Sequence, residues 1–216
     1  MTTIGPKETI LFYGDSITDC GRDRGNVESL GSGYPGLIGV ALACKMPSQG
    51  LRFINTGVSG DRIYDLEKRM EADLVAHAPS IVTFLIGIND TWRRFDSNIV
   101  SPAGDFQAAY KRILRAITNG RTMPAPRIVL MEPFVLPVPE DRRQWRADLD
   151  PRIHAVRELA VEFGADLIPL DGLFAAAATR APAAYWLPDG VHPSAAGHAL
   201  IADAWMANVR IASANP

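Results

Sequence analysis

Cysteine, runs of basic residues and long apolar segments are all scarce in this chain, and each scarcity excludes a class of protein. The two cysteines, Cys20 and Cys44, have no partner at zinc-finger spacing, so we expect two reduced thiols. No run of Lys or Arg exceeds two residues and the formal net charge is −2, which argues against nucleic acid or an anionic membrane as partner. No apolar segment approaches the ~20 residues that span a bilayer, and no secretion signal begins the sequence. We therefore expect a soluble, cytoplasmic protein.

The chain has enough apolar residues to build a core without disulfides or metals. Its 216 residues are 47% hydrophobic and fit one domain, residues 1–216. Five strand-length apolar runs are predicted at residues 9–13, 51–55, 81–86, 127–131 and, more weakly, 166–170. Helical segments are predicted at residues 34–43, 63–76, 104–118, 142–163 and 194–210. Strands without apolar/polar alternation that alternate with helices predict a doubly wound α/β domain with a parallel sheet.

Ligands of such sheets bind at the carboxyl ends of the strands, so the residues that follow each strand are the candidates for a functional site. Gly-Asp-Ser-Ile follows the first strand and presents Ser16, whose hydroxyl could attack an ester. The same residues also suit a turn or a helix cap. The second strand is followed by a glycine-containing segment with Gly57 and Gly60. Asn89 follows the third, either as an oxyanion donor or in a simple Asx turn.

Near the C-terminus, the pattern Asp189-Gly-Val-His192 supplies a base and a carboxylate. A serine needs a general base to become nucleophilic, and histidine is the usual one. A carboxylate three residues earlier can hold the imidazole in the correct tautomer and stabilise its charged form. The alternative is a surface loop that precedes the last helix.

Taken together and in this order, the four segments resemble the SGNH (GDSL-type) hydrolase family. The resemblance implies a three-layer α/β/α sandwich with a flavodoxin-like, five-stranded parallel sheet. It assigns Ser16, Asp189 and His192 as the catalytic triad. It also assigns the oxyanion hole to the backbone N–H groups of Ser16 and Gly60 and to the side-chain amide of Asn89. No cofactor is implied.

Three longer strings, at residues 14–22, 87–93 and 191–198, resemble intracellular bacterial acetylesterases that act on xylan-derived sugars. We therefore predict a small-molecule ester substrate such as an acetylated oligosaccharide, contacted by Asp15, Trp92 and Trp186. Tyr34 is a further candidate for stacking on sugar rings, and Arg22, Arg93 and Arg94 are candidates for binding hydroxyls. One departure is Pro188, which precedes Asp189 where that group has an aromatic residue.

Other readings of the sequence stay open. The same triad serves broad-specificity carboxylesterases, lysophospholipases and thioesterases, and a sugar-binding module could have kept the fold without the activity. A metal site at His192 and His198 is disfavoured because no further His or carboxylate stands at ligand spacing. The oligomeric state, including a homo-oligomer, is not determined by the sequence.

Overall fold

The computed structural model describes residues 1–122 and 124–212 and contains two parallel sheets. The strands are β1 (Thr2–Ile4), β2 (Thr9–Gly14), β3 (Arg52–Asn55), β4 (Ile81–Leu85), β5 (Arg127–Met131), β6 (Asp166–Ile168) and β7 (Val209–Ile211). Five of them form the main sheet in the order β3-β2-β4-β5-β6, and every neighbouring pair is parallel. This is the predicted flavodoxin-like order, and the predicted fold class is confirmed.

The helices cover both faces of this sheet. They are α1 (Ser16–Asp19), α2 (Tyr34–Lys45), α3 (Ile63–Asp73), α4 (Ile88–Asp96), α5 (Ala103–Ala116), α6 (Arg146–Phe163), α7 (Leu170–Ala177), α8 (Ala183–Trp186) and α9 (Ala195–Ala207). Apolar side chains of α2, α7 and α9 pack on one face, and those of α3 and α5 pack on the other. The result is a three-layer arrangement.

Strand β2 shows why its apolar run has no polar alternation. Ile10 and Phe12 point into the core under α2 and α9, whereas Leu11 and Tyr13 point into the core under α3 and α5. All four side chains are fully buried. Because successive residues of a strand face opposite sides, a strand covered on both sides must be apolar throughout.

Several boundaries differ from the sequence prediction for local reasons. The predicted helix over 142–163 begins at Arg146, because residues 140–145 form the 3₁₀ helix Glu140–Trp145. The last helix ends at Ala207, and the chain then forms β7, which pairs with β1. Ser194 is the N-cap of α9, with its hydroxyl accepting the N–H of Gly197 at 3.2 Å. The last predicted strand stops at Ile168, because α7 begins at Leu170.

The short elements escaped prediction altogether. Strands β1 and β7 have three residues each and helices α1 and α8 have four, too few to show a hydrophobic period. Within residues 1–122 and 124–212, none of the helices is long and apolar enough to cross a membrane.

Candidate active site

The candidate nucleophile lies where β2 passes into α1. Asp15 is the N-cap of α1, and its Oδ1 accepts the N–H of Ile17 at 3.0 Å. Ser16 is therefore the first residue of a helical turn at the carboxyl end of a parallel strand, and it is partly exposed. The Asp15 carbonyl accepts from Thr18 and Asp19, so in the described chain the Ser16 N–H is the donor of this turn that no residue accepts.

Ser16, His192 and Asp189 form one hydrogen-bonded series. The Ser16 Oγ lies 2.9 Å from the His192 Nε2, and the His192 Nδ1 lies 2.7 Å from the Asp189 Oδ2. The structure thus brings together three residues that are up to 176 positions apart. In this arrangement the Nδ1 proton is held by the carboxylate, and the Nε2 lone pair faces the serine hydroxyl.

The carboxylate of Asp189 stabilises the loop that carries His192. The Asp189 Oδ1 accepts the backbone N–H groups of Val191 at 3.0 Å and of His192 at 2.7 Å, which leaves Oδ2 for the imidazole. Gly190 makes this tight loop possible with φ of +83°. A Cβ there would lie 2.3 Å from the carbonyl oxygen of Val138, so the loop passes directly against the segment after β5.

The electrostatics of this pair suit a general base. Partial burial acts to raise the pKa of Asp189, but the hydrogen bonds from the His192 ring and from two backbone N–H groups overcome it and hold that pKa well below its usual range. The hydrogen bond to Asp189 raises the pKa of His192 above its ordinary value, against an opposing effect of burial. Both side chains remain accessible, with 45% of His192 and 43% of Asp189 exposed.

The loop after β3 contains one backbone donor without a partner. Five of the six N–H groups in residues 56–61 donate within the protein: Thr56 to Phe12 O, Gly57 to Asn55 Oδ1, Val58 to Gly14 O, Ser59 to Asp19 Oδ2 and Asp61 to Val58 O. Among the described residues nothing accepts the sixth, that of Gly60. Gly60 is exposed, has φ of +89°, and a Cβ there would meet nothing within 4 Å. Its free N–H suits the predicted role as an oxyanion donor.

Asn89 connects this loop to the end of β4. It lies in the first turn of α4, and only 4% of it is exposed. Its Nδ2 donates to the carbonyl of Asp61 at 3.0 Å, next in the chain to Gly60. One amide proton therefore anchors the loop, and the role of Asn89 as an oxyanion donor stays a prediction.

Two residues predicted to contact substrate are buried instead. Asp15 is fully buried, and its Oδ1 caps α1. Its burial raises its pKa to about 7, although the N–H of Ile17 and the nearby charge of His192 lower it. Tyr34 is also fully buried, with its hydroxyl 2.8 Å from the Thr18 Oγ1, so no ring face is open to a sugar. The position of Asp15 at a strand end and that of Tyr34 at the start of α2 did not reveal which way these side chains point.

Of the predicted aromatic residues, Trp92 is the one in ring contact with the triad. Its ring centroid lies 5.7 Å from that of His192 and 5.3 Å from that of the buried Trp145. Trp186 instead contacts Tyr185, at 5.0 Å between ring centroids, and Arg180, so the structure gives it no ring contact with the triad. Trp92 forms an aromatic wall beside the base.

The three arginines that were predicted to bind hydroxyls each make an ion pair or a hydrogen bond within the protein. Arg93 pairs with Asp96, and the Nη1 of Arg94 lies 3.0 Å from the carboxylate of the buried Asp148. The side chain of Arg22 is 5% exposed, and its Nε donates to the Gly57 carbonyl at 2.9 Å. Arg22 is thus buried against the loop, whereas 34% of Arg93 and 52% of Arg94 stay exposed, and their contact with hydroxyls stays a prediction.

Arg142, which no sequence pattern marked, lies over two indole rings at the edge of the site. Its guanidinium carbon is 4.9 Å from the centroid of Trp92 and 4.0 Å from that of Trp145. No local pattern marks this contact, because 50 residues separate Arg142 from Trp92. In the part of the chain that the structure describes, no group of three or more His, Cys, Asp or Glu side chains could hold a metal ion.

A serine hydroxyl, a histidine and a carboxylate joined in this order, beside unpaired N–H donors, form the apparatus of a serine ester hydrolase. A model of the GDSL-like lipase/acylhydrolase family matches residues 12–200, and the chain belongs to this family. It is a serine carboxylic-ester hydrolase.

The relatives agree with this class. An acetylxylan esterase from Geobacillus stearothermophilus is 35% identical over 212 residues, which are 95% of each protein. A solved structure of Axe2, an acetylxylan esterase from the same organism, matches with a TM-score of 0.85 and 32% identity over 95% of each chain. A candidate GDSL-like lipase from Parabacteroides merdae matches with a TM-score of 0.89 and 34% identity, over 95% of this chain and 96% of the other. Two further Axe2 structures are catalytic mutants in which a serine or a histidine is replaced by alanine.

Proposed function

We propose that this protein removes acetyl groups from carbohydrate, with acetylated xylo-oligosaccharides as its substrates, through an acyl-enzyme on Ser16. The observation that carries the proposal is the hydrogen-bonded series Ser16–His192–Asp189 at an accessible edge of the sheet. The substrate class is supported by the relative that is 35% identical over 95% of both chains, an acetylxylan esterase.

In the acylation step, the Nε2 of His192 accepts the Ser16 proton as the Oγ attacks the acetyl carbonyl carbon. The carbonyl oxygen becomes an oxyanion, which the N–H groups of Ser16 and Gly60 and the amide of Asn89 stabilise. Asp189 stabilises the imidazolium that forms. The protonated His192 then donates its proton to the sugar oxygen, the ester bond breaks and an acetyl-serine remains.

In the deacylation step, His192 removes a proton from water as the water oxygen attacks the acetyl-serine carbonyl. The same donors stabilise the second tetrahedral oxyanion. Its collapse returns the proton to the Ser16 Oγ and releases acetate.

The surroundings of the base suit a bulky alcohol. His192 and Asp189 keep more than two-fifths of their side-chain surface exposed, so the leaving-group side opens to solvent. Trp92 forms a wall on this side, and its indole is 5.7 Å from the imidazole. An exposed base with an indole beside it leaves room for a bulky sugar alcohol.

The test is a panel of esters. We expect kcat/KM on p-nitrophenyl esters to fall as the acyl chain lengthens beyond acetyl, and acetate to be released from acetylated xylo-oligosaccharides. Ser16→Ala provides the control, because it removes one hydroxyl from a partly exposed site. A preference for long acyl chains, with no release of acetate from the sugar, would favour the lysophospholipase or thioesterase alternative.

Labelling separates an enzyme from a sugar-binding module. A fluorophosphonate should add one mass increment to the wild-type protein, on Ser16, and none to Ser16→Ala. A wild-type protein that binds xylo-oligosaccharide but is not labelled would contradict the esterase. The cytoplasmic location and a homo-oligomer stay predictions, which cell fractionation and light scattering test.

A further inference from the structure

Arg69 of α3 links the segment that carries the nucleophile to the loop that carries Gly60. Its Nη2 donates to the carbonyl of Gly14, two residues before Ser16, at 3.1 Å. Its Nη1 donates to the carbonyl of Thr56 at 2.6 Å, and its Nε lies 2.7 Å from the carboxylate of Asp61. One guanidinium thus holds both ends of the loop 56–61 and the end of β2.

The guanidinium itself has little freedom. Its carbon lies 4.5 Å from the ring centroid of Tyr13, Nη1 also contacts the Asp73 carboxylate at 2.9 Å, and 17% of the side chain is exposed. The planar guanidinium offers five N–H donors in a fixed fork spread over three nitrogens, whereas an ammonium presents three donors from a single nitrogen. The position of the loop relative to β2 is therefore set by a rigid group.

The contacts of the two arginines with backbone carbonyls fix the start of the loop that carries Gly60. Arg69 and Arg22 bind the carbonyls of Thr56 and Gly57, so these oxygens point toward the two cations. The N–H groups of the same two peptide units, those of Gly57 and Val58, donate to Asn55 Oδ1 and to the Gly14 carbonyl, so this part of the loop is fixed on both sides. Because the N–H of Gly60 is the donor of this loop that no described residue accepts, its direction depends on how the loop is held.

We propose that Arg69 is a positioning residue of the oxyanion site, which holds the Gly60 N–H at the correct distance from Ser16. This inference rests on the proposed function, since an oxyanion site matters only in an esterase. Arg69 touches no substrate atom. Its effect is expressed in the transition state, where the oxyanion bond is complete, and not in the binding of the ester.

The test compares Arg69→Lys with Arg69→Met on p-nitrophenyl acetate. Lys keeps the charge but cannot reach all three acceptors, and Met keeps an unbranched apolar side chain without the guanidinium. We expect kcat to fall about tenfold for Lys and further for Met, with KM changed less than about threefold. The affinity for a trifluoromethyl ketone, which forms a tetrahedral adduct, should fall by the same factor as kcat/KM.

Arg112→Lys is the matched control. Arg112 lies on α5 and makes two contacts with Glu67, at 2.5 and 2.8 Å. Glu67 is on α3, as Arg69 is, but Arg112 makes no contact with the loop. We expect this control to keep wild-type kcat and wild-type affinity for the ketone. All variants are assayed well below their unfolding temperatures, so that fewer folded molecules cannot imitate a lower kcat.

The results separate this inference from the proposed function. If wild-type hydrolysis does not depend on Ser16, the proposed function fails. If hydrolysis depends on Ser16 but folded Arg69→Lys keeps wild-type kcat and ketone affinity, the positioning role is overturned. A fall in kcat with ketone affinity unchanged overturns it as well. Should Arg69→Met not fold, Arg69→Lys alone decides.

Discussion

Replacing Asp189 by Asn tests the triad at the point where the structure is most explicit. The Asn side-chain oxygen can keep the two backbone N–H groups that Asp189 Oδ1 now accepts, so the loop should survive. The amide nitrogen then takes the place of Oδ2 and presents a donor to the Nδ1 of His192, 2.7 Å away. To accept that bond, the imidazole must carry its proton on Nε2, where it can no longer take the proton of Ser16.

Two contributions determine how far kcat/KM should fall in Asp189→Asn. Holding the wrong tautomer costs about one hydrogen bond, on the order of 1 to 1.5 kcal/mol. Losing the carboxylate removes a charge interaction with the imidazolium of about 4 kcal/mol at ~4 Å between charge centres. Because 45% of His192 and 43% of Asp189 are exposed, solvent screening reduces that second contribution to about half. The total, about 3 to 4 kcal/mol, predicts a loss of kcat/KM between about a hundredfold and about a thousandfold.

The assay is kcat/KM on p-nitrophenyl acetate as a function of pH. The wild-type enzyme should gain activity as His192 loses its proton, with an apparent pKa above the ordinary histidine value, because Asp189 raises it. In Asp189→Asn the apparent pKa should be lower, and higher pH should not restore the lost rate. Asp150→Asn, on the surface of α6, is the control and should behave as wild type. A variant within about tenfold of wild type, or with an unchanged apparent pKa, would refute the reasoning.

Four other changes have expected outcomes. Asn89→Ala should lower kcat about a hundredfold or more with a smaller effect on KM, measured by steady-state kinetics, because the oxyanion loses a donor. Gly190→Ala should lower both activity and the unfolding temperature, since its Cβ would lie 2.3 Å from a carbonyl oxygen; an active, stable variant would contradict the loop geometry. Between about pH 4 and about 7 the folded protein holds a proton on Asp15, which lowers the free energy of unfolding as pH rises; the buried Asp90 acts in the same direction, so in urea titrations Asp15→Asn should show a smaller fall than wild type. EDTA should leave the rate unchanged, because both ring nitrogens of His192 are engaged by the triad; a loss that zinc reverses would contradict the serine mechanism.

The main sheet was predictable because a strand that is buried on both faces has an unbroken run of apolar residues. A strand such as β4, buried at all five positions, must be an unbroken apolar run, and the polar residues at its end then mark the carboxyl edge. The strand β1 lacks that mark, because its middle residue, Thr3, is exposed and its partner β7 lies near the other end of the chain. Pairing between such distant, three-residue strands has no local signal.

The hydrogen-bonded series Ser16–His192–Asp189 was predictable for a chemical reason. A nucleophile, a base and a carboxylate are each restricted to a few residue types, so Ser16, His192 and Asp189 stand out once the strand ends are located. The residues that hold this apparatus have no such restriction. Arg69 is 55 positions from Gly14, and nothing in the helical segment around it distinguishes it from the arginines that only form surface ion pairs.

Substrate contacts were the least predictable part because they depend on which side of a backbone turn a side chain occupies. Asp15 and Ser16 are adjacent, yet one is fully buried and the other partly exposed, since the first turn of α1 points the cap inward and the hydroxyl outward. The proximity of Trp92 to His192 follows from Trp145, which is buried against the indole and holds it beside the imidazole. The indole of Trp92 therefore borders the base, His192. The substitution Trp92→Ala removes this indole and tests its role. If that indole supports the sugar, the variant should lose efficiency on acetylated xylo-oligosaccharides while keeping its rate on p-nitrophenyl acetate. Equal losses on both substrates would place the role of Trp92 in orienting His192 instead.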